Sequence, residues 1–206
     1  MPFHVKPGKR PVVFLDRDGT LNVEAGYLRN ISDLVLLPGA AQALTLLNRA
    51  NVAAVLVTNQ SGPARGLYPE WHVQKLNDRL CALLDEGGAV LDAVYYCPHH
   101  PQGVVPEYAI NCSCRKPKIG LIERAFVEHP DLDRQAAYMI GDQSTDVELA
   151  RNASLKSVLV KTGYGADVLA GKFQWMVEPD FVAETLADAV SWVLAELERQ
   201  GSPDVR

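Results

Sequence analysis

Short apolar runs alternate with amphipathic stretches along most of the chain. The apolar runs predict buried strands at Val12–Leu15, Val52–Val57, Ala93–Tyr96, Ala136–Ile140 and Ser157–Val160. Stretches with helical spacing predict helices at Ala40–Arg49, Pro69–Asp85, Ile119–His129, Asp146–Asn152 and Val182–Arg199. This alternation predicts an α/β fold, a doubly wound (Rossmann-like) parallel sheet with helices on both faces.

Two segments interrupt the alternation: residues 23–36 after the first strand and residues 98–118 after the third. The second segment is too long for an ordinary connection, which indicates either a functional loop or a structural clip. No insertion between the first two strands is large enough to form a cap domain. The sequence therefore predicts a single domain over residues 1–206 with a loop insert at 97–118.

Composition and charge narrow the classes of partner. The net charge is −5 over 206 residues, whereas nucleic-acid binders usually present a basic face. A few placed Arg and Lys residues could still hold a small anion. No apolar run approaches the ~20 residues that span a bilayer, and no targeting signal is evident. We expect a cytoplasmic protein with no nucleic-acid or membrane partner, and a monomer by default.

Two acids, Asp16 and Asp18, come directly after the first predicted strand, in FLDRDGTLN. At the carboxyl edge of a parallel sheet both can face one pocket, and Gly19 allows a sharp turn. Neighbouring carboxylates favour a cation between them, and Mg²⁺ prefers oxygen ligands. One carboxylate could attack phosphorus while the other transfers protons. The alternative is a polar turn whose acids face solvent.

Polar residues also follow two later strands. Thr58 begins TNQSG after the second strand, where hydroxyl and backbone N–H groups could stabilise a transferring phosphoryl group or simply cap a helix. Asp142 lies in GDQSTD after the fourth strand and could complete a Mg²⁺ shell. Asp146 is predicted to orient neighbouring groups or to cap the following helix.

The long loop carries soft metal ligands as C-x-H and C-x-C pairs. Cys97, His99, Cys112 and Cys114 match a structural Zn²⁺ site of three thiolates and one imidazole, with His100 as a competing ligand. The loop has little apolar content, so a metal could supply the ordering free energy. Free cysteines or a labile disulfide are the alternatives.

A basic pair, Arg115 and Lys116, follows the last cysteine of the loop. A zinc-held loop would fix both cations near the sheet edge. One could then neutralise the reacting phosphate, and an arginine suits bidentate recognition of a second phosphate. The alternative is a solvated basic pair.

The motifs DRDGTLN, TNQSG and GDQSTD, in this order, resemble those of the haloacid dehalogenase-like phosphatase superfamily. The resemblance implies that Asp16 is the nucleophile, that Asp18 is the general acid/base, and that Thr58 and Lys116 steady the phosphoryl group. It also implies catalytic Mg²⁺ bound by Asp16, Asp18 and Asp142.

Within that superfamily, CPHHPQG, CSCRKP and SGPARG make the chain similar to the bacterial heptose-1,7-bisphosphate phosphatases, from residue 12 to about residue 165. This resemblance favours His99 over His100 as the fourth ligand of a structural Zn²⁺. It implies hydrolysis of the C7 phosphate of D-glycero-D-manno-heptose 1,7-bisphosphate, through an aspartyl phosphate, in nucleotide-activated heptose biosynthesis.

Ten residues are predicted to contact the phosphorylated sugar: Glu24, Ala25, Gly26, Tyr27, Asn59, Gln60, Ser61, Arg65, Arg115 and Gln143. Gln143 departs from the resembled family, which often carries Lys there, and supplies no charge. Arg65 could instead form a surface salt bridge. Three histidines without a partner pattern, His4, His72 and His129, are predicted to lie at the surface.

Two other functions remain open. The histidinol phosphatases share the zinc loop and the catalytic set, so histidinol phosphate or another small phosphomonoester could be the substrate. A non-catalytic phosphoacceptor or binding domain would also cluster acids around Mg²⁺, but it would have no use for Asp18 as a proton donor.

Overall fold

Six parallel strands form one sheet in the computed structural model, which describes residues 8–173 and 177–201. The strands are β1 (Arg10–Leu15), β2 (Ala53–Asn59), β3 (Ala93–Cys97), β4 (Leu132–Gly141), β5 (Lys156–Val160) and β6 (Phe181–Ala183). They lie in the order β3-β2-β1-β4-β5-β6, and every neighbouring pair is parallel.

Helices cover both faces of this sheet. They are α1 (Ala40–Arg49), α2 (Glu70–Glu86), α3 (Gly120–Glu128), α4 (Ser144–Ala153), α5 (Gly165–Leu169) and α6 (Leu186–Gly201), with a 3-10 turn at Ile31–Asp33. The predicted doubly wound α/β fold is confirmed. None of these helices, within the described ranges, is long and apolar enough to cross a bilayer.

The alternation of β1 side chains divides the core into two layers. Val13 and Leu15 are fully buried against apolar residues of α1, α2 and α6. Val12 and Phe14 point the other way, into a second cluster with α3 and α4. Because β1 is central and covered on both faces, its run is continuously apolar. Each fully buried Val, Leu or Phe side chain stabilises the fold by about 1.5–3 kcal/mol.

The C-terminal helix was predicted too long. Val182 and Ala183 belong to β6, where they pair with Leu159 and Val160 of β5. The helix begins only at Leu186, after Thr185. The Thr185 backbone N–H donates to Asp188 at 3.1 Å, and the Asp188 N–H donates to Thr185 Oγ1 at 3.3 Å. This reciprocal cap is a sequence signal for the start of the helix. The strand before it has three residues, which is too few to show the alternation of apolar and polar positions that predicts a strand.

One of the three histidines predicted at the surface is buried. His72 is 7% exposed, and its Nε2 lies 2.9 Å from the carbonyl oxygen of Leu28. The reason is that the residue sits on the inner side of α2, beside Val73 and Leu76 of the core. His129 is half-buried, and His4 lies outside the described residues.

The strand order reverses direction between β1 and β4. Successive strands run outward from β1 through β2 to β3, and the chain then returns to place β4 on the other side of β1. Leu15 is in register with both Leu56 and Ile140, so the loops after β1, β2 and β4 leave the sheet side by side. Such a reversal opens a crevice at the carboxyl ends of the strands, which is where open α/β sheets bind ligands.

Candidate active site

A cavity of about 240 Å³ opens at this reversal point, above the carboxyl ends of β1, β2 and β4. Its lining residues are almost all polar or charged and come from loops that are distant in sequence. The lining residues are Asp16, Asp18, Glu24, Gly26, Tyr27, Thr58, Asn59, Gln60, Ser61, Arg115, Lys116, Gln143, Thr145 and Tyr164.

Asp16 lies at the floor of the cavity as the first residue after β1. It is 5% exposed, and its Oδ1 lies 2.8 Å from Lys116 Nζ. The same ammonium lies 2.6 Å from Asp146 Oδ1. Burial alone would lower the pKa of Lys116, but the carboxylates of Asp146 and Asp16 raise it, so the side chain stays charged.

Asn59, at the end of β2, fixes the backbone of Lys116. Its Oδ1 accepts from the Lys116 N–H at 3.0 Å, and its Nδ2 donates to the Lys116 carbonyl at 3.2 Å. Both ends of the amide are therefore engaged with the loop that carries the lysine. Although Asn59 lines the cavity, its side chain is less available to a sugar than the sequence suggested.

Three buried acids converge beside the lysine. One carboxylate oxygen from each of Asp16, Asp142 and Asp146 lies within 4.8 Å of the others. Burial, together with repulsion from Asp16 and Asp146, raises the pKa of Asp142 to about 9. Asp142 Oδ1 has no hydrogen-bond partner among the residues that the structure describes. A cluster of acids that repel one another when ionised, with one unpartnered carboxylate oxygen, fits Mg²⁺.

Two glycines make room for Asp142. A Cβ atom on Gly19 would stand 2.2 Å from Asp142 Oδ2, and one on Gly163 would stand 2.1 Å from it. Both glycines have positive φ, +73° and +54°. The carboxylate is oriented from the other side by the N–H of Tyr164, which donates to Oδ2 at 2.8 Å.

Asp146 caps the helix that follows Asp142. Its Oδ2 accepts from the N–H of Gln143 at 3.0 Å, completing a capping box at the start of α4. Its other oxygen faces Lys116. The predicted cap is confirmed, and the same carboxylate also orients the lysine.

The carboxylate of Asp18 points away from this acidic cluster. Its oxygens accept from the Arg17 guanidinium at 2.9 Å, from Gln60 Nε2 at 2.8 Å and from Asn22 Nδ2 at 2.9 Å. Burial opposes ionisation, yet the Arg17 charge and these bonds lower the pKa of Asp18. The structure thus brings Asp16 and Asp142 together as expected, but with Asp146 as the third side chain instead of Asp18.

The Cys/His loop closes into a compact cluster. The Sγ–Sγ distances among Cys97, Cys112 and Cys114 are 3.1–3.5 Å. Nδ1 of His99 lies 3.3 Å from Cys114 Sγ, whereas His100 is not a member of the cluster. All four cysteines of the chain are described and free. A hydrogen bond from Cys97, with help from His99, lowers the pKa of Cys114 to about 5. This donor set fits Zn²⁺.

Most of the predicted sugar contacts do line the cavity, but two do not. Ala25 and Arg65 are exposed outside it. Tyr27 closes one side, with its hydroxyl 3.2 Å from Ser61 Oγ. Gln60 is 5% exposed, and its amide bonds to protein groups, including Thr58 Oγ1 at 3.0 Å.

A cationic rim lies next to the cavity. Arg65 Nη2 is 3.2 Å from His100 Nε2, and Arg115 Nη1 donates to the His99 carbonyl at 3.1 Å. Gln102 donates its N–H to His100 Nδ1 at 3.1 Å, so a neutral His100 carries its proton on Nε2. In this tautomer Arg65 and His100 both present N–H groups at the rim, and one anion can bridge the two.

Sequence reasoning missed several residues of the site. Arg17 lies inside the first motif, but its burial depends on Asn77 of α2, sixty positions away, to which Nη1 donates at 3.1 Å. Tyr164 and Thr145 line the cavity as well. Tyr164 had a signal, because it follows the end of β5 at the same edge of the sheet.

Comparison with other proteins places this geometry in a family. Residues 113–189 match the model of HAD-hydrolase-like proteins. D-glycero-D-manno-heptose-1,7-bisphosphate 7-phosphatase of Thermosynechococcus vestitus is 50% identical over 91% of this chain and 97% of its own. The D-glycero-beta-D-manno-heptose-1,7-bisphosphate 7-phosphatase of Haemophilus ducreyi is 42% identical over 90% of this chain and 99% of its own.

A solved structure agrees with the fold. D,D-heptose 1,7-bisphosphate phosphatase from B. bronchiseptica, crystallised with magnesium and phosphate, superposes with a TM-score of 0.78. It is 33% identical, and the match covers 90% of this chain and 99% of that one.

Proposed function

Because this chain belongs to the haloacid dehalogenase-like phosphatases, in the branch of the heptose-bisphosphate phosphatases, we propose that it hydrolyses the C7 phosphate of D-glycero-D-manno-heptose 1,7-bisphosphate, in nucleotide-activated heptose biosynthesis. The chemistry rests on one observation. The buried Asp16 carboxylate lies 2.8 Å from the Lys116 ammonium, with Asp142 within metal-ligand reach. Similarity along nearly the whole chain supports the substrate.

In the first step, an Asp16 oxygen attacks the phosphorus of the C7 phosphate. The bond between phosphorus and the C7 oxygen breaks, and that oxygen takes the electron pair and a proton from Asp18. Arg17 lowers the pKa of Asp18 in the free protein, so the negative charge of the bound phosphate must raise it for the carboxyl to carry that proton. The products are an aspartyl phosphate and a sugar with a free C7 hydroxyl. Lys116 and the Thr58 hydroxyl stabilise the phosphoryl oxygens.

In the second step, a water oxygen attacks the phosphorus and gives a proton to the Asp18 carboxylate. The bond between phosphorus and Asp16 breaks, and its electron pair returns to the Asp16 carboxylate. Inorganic phosphate then leaves, and Asp18 is protonated for the next turnover.

Asp16 and Asp142 are the proposed side-chain ligands of Mg²⁺. When bound, Mg²⁺ would neutralise the charge of the phosphate oxygens, so that the Asp16 carboxylate can approach the phosphorus. The Asp18 carboxylate is engaged by Arg17, Gln60 and Asn22. Asp18 would therefore contribute only its backbone carbonyl oxygen, a ligand type that hard cations accept.

The rim of Arg65, His100 and Arg115 is the proposed site of the second phosphate. In the part of the chain that the structure describes, neither arginine pairs with a carboxylate, and the donors of Arg65 and His100 converge. A phosphate oxygen that bridges the two N–H groups would satisfy both. Holding one phosphate here would orient the other for transfer.

Cys97, His99, Cys112 and Cys114 are the proposed ligands of a structural Zn²⁺. Arg115 and Lys116 follow directly after the last of these ligands. The ion would thereby fix both cations, one at the rim and one beside Asp16.

The test is a phosphate-release assay with Mg²⁺ on a panel of sugar bisphosphates, both anomers of the heptose included, with histidinol phosphate alongside. We expect kcat/KM for the heptose bisphosphate to exceed that for histidinol phosphate by about 100-fold or more, since a site built for a second phosphate rejects substrates that lack it. A preference for histidinol phosphate would overturn the substrate.

The nucleophile is tested with Asp16→Asn, which should fold normally and release no phosphate. Asp33→Asn, in the exposed 3-10 turn, is the matched control and should be fully active. Turnover by Asp16→Asn would overturn the mechanism. A phosphorylated Asp16 that lasts for hours in the native protein, without release of phosphate, would indicate a phosphoacceptor domain.

A further inference from the structure

Arg17 is the largest fully buried side chain of the described residues, and its guanidinium lies beneath the Asp18 carboxylate. Nη2 donates to Asp18 Oδ2 at 2.9 Å and to Gln60 Oε1 at 2.7 Å. On its far side, Nη1 donates to Asn77 Oδ1 at 3.1 Å. The cation is thus held between the pocket and helix α2.

Asn77 occupies a position where the helix pattern calls for an apolar residue. Val73, Leu76, Leu80 and Leu84 form the buried stripe of α2, and Asn77 lies on that stripe at 5% exposure. Asparagine is a poor residue for a helix interior. Its Nδ2 has no partner among the described residues. An unused buried donor costs free energy, so the contribution of Asn77 at this position is the hydrogen bond that its Oδ1 accepts from Arg17.

The Asp18 carboxylate accepts from three side chains and remains 14% exposed toward the cavity that it lines. Oδ1 accepts from Asn22 at 2.9 Å and from Arg17 at 3.2 Å. Oδ2 accepts from Gln60 at 2.8 Å as well as from Arg17. A single planar guanidinium that meets both oxygens fixes the plane of the carboxylate, which a point charge would leave free to rotate.

We propose that Arg17, anchored by Asn77, is a positioning residue that aims the Asp18 carboxylate at the leaving-group oxygen. Gln60 completes the arrangement by bridging Asp18 to Thr58, which lines the same cavity. The inference rests on the proposed role of Asp18 as proton donor in phosphoryl transfer. Neither Arg17 nor Asn77 lines the cavity, so both act through Asp18.

The dependence of rate on the leaving group separates this role from a structural one. An alkoxide leaving group needs a proton from Asp18, whereas p-nitrophenolate leaves without one. The measurement is kcat/KM for β-glycerophosphate and for p-nitrophenyl phosphate. This parameter covers the steps up to phosphoryl transfer, so hydrolysis of the aspartyl phosphate does not enter.

Asn77→Leu is the main variant, because leucine suits the apolar stripe of α2. We expect kcat/KM for β-glycerophosphate to fall about tenfold, and that for p-nitrophenyl phosphate to change by less than about threefold, as for a partly misaligned general acid. Arg17→Lys keeps the buried charge but cannot bond Asp18, Gln60 and Asn77 at once. It should show a larger selective loss, about 100-fold on the alkyl ester.

Leu80→Ala is the matched control, since it removes a buried side chain from the same stripe without touching Arg17. It should change both rates by the same factor. Equal losses on the two esters in Asn77→Leu and in Arg17→Lys, or no loss on either, would overturn the proposal. Both probes are generic phosphate esters, so the result does not depend on whether the heptose bisphosphate is the natural substrate.

Discussion

Lys116 Nζ lies 2.8 Å from Asp16 Oδ1, and both side chains are almost completely buried. Lys116 lies in the loop that holds the Cys/His cluster, and Asp16 directly follows the central strand β1. The ammonium also reaches Asp146, so one cation stands between two carboxylates from different elements. A positive charge therefore lies beside the carboxylate that is proposed to attack phosphorus.

Replacing Lys116 with methionine should remove that charge. We expect kcat/KM for sugar bisphosphates to fall by about 10²–10³, the usual loss for one donor to a transferring group. The variant should also lose roughly 3–5 kcal/mol of unfolding free energy, because Asp16 and Asp146 are left without their buried cation. Steady-state kinetics and urea unfolding measure the two effects.

Lys75→Met is the control for this substitution, because Lys75 is exposed on α2 and, among the described residues, forms an ion pair with the exposed Asp78 alone. It should leave both quantities unchanged. A folded Lys116→Met enzyme with near-native kcat/KM would contradict the assignment.

The metal-free protein should become less stable as pH rises. The folded state raises the pKa of Asp142 to about 9 through burial and repulsion from Asp16 and Asp146, and it raises the pKa of Asp146 to about 6 through burial and repulsion from Asp16. The unfolded chain releases these protons near pH 4, so between that pH and about 9 the folded state binds more protons. Stability therefore falls as pH rises, which urea unfolding in a chelator can measure.

Two comparisons make the pH prediction specific. Asp142→Asn removes the main titrating group and should flatten the dependence in chelator. Added Mg²⁺ should raise the stability of the unmodified protein most at high pH, where the carboxylates are ionised. A metal-free protein whose stability does not change with pH would refute the inferred effect of burial and repulsion on these carboxylates.

The proposed zinc site predicts different outcomes for two cysteines. Cys114→Ser should lose the bound Zn²⁺ and lower kcat/KM at least about tenfold, as substitutions that disturb a metal site typically do, because Arg115 and Lys116 follow it directly. Cys81→Ser, on α2 outside the cluster, should keep one Zn²⁺ per chain and full activity. Elemental analysis and kinetics of both proteins test the site. Equal zinc content in the two variants would exclude this ligand set.

Gly19 and Gly163 approach Asp142 so closely that we expect Gly19 not to tolerate a larger residue. Gly19→Ala would place a Cβ atom 2.2 Å from Asp142 Oδ2 and should abolish Mg²⁺-dependent turnover. Gly39→Ala is the matched control, with a similar φ of +80° and no atom within 4 Å of its Cβ position. Each should lose about 1–2 kcal/mol of stability from left-handed backbone strain, and Gly19→Ala should lose more because of its clash with Asp142.

Mg²⁺ binding by calorimetry separates these two glycine variants. The control should bind the ion as the unmodified protein does, and Gly19→Ala should not. Normal Mg²⁺ affinity in Gly19→Ala would show that Asp142 can move, and that the proposed metal site is placed wrongly.

The sequence by itself determined the sheet, the acids at its edge and the cluster of soft ligands. Apolar runs such as Val12–Leu15 report burial on both faces, because every side chain of a central strand meets a helix. The spacing of the Cys/His loop predicted its cysteine ligands, since ligands separated by one residue can share a turn, while the choice of His99 over His100 came from the family resemblance. These are local properties, and local patterns record them.

Only the tertiary structure determined which polar side chains form hydrogen bonds and ion pairs with one another. Arg17 meets Asn77, and Asn59 meets Lys116, across dozens of intervening residues. The Asp18 carboxylate turned toward Arg17, and Asp146 took the third place in the acidic cluster. Hydrogen bonds and charges act over a few ångströms in space, and only the packing of distant elements sets those distances.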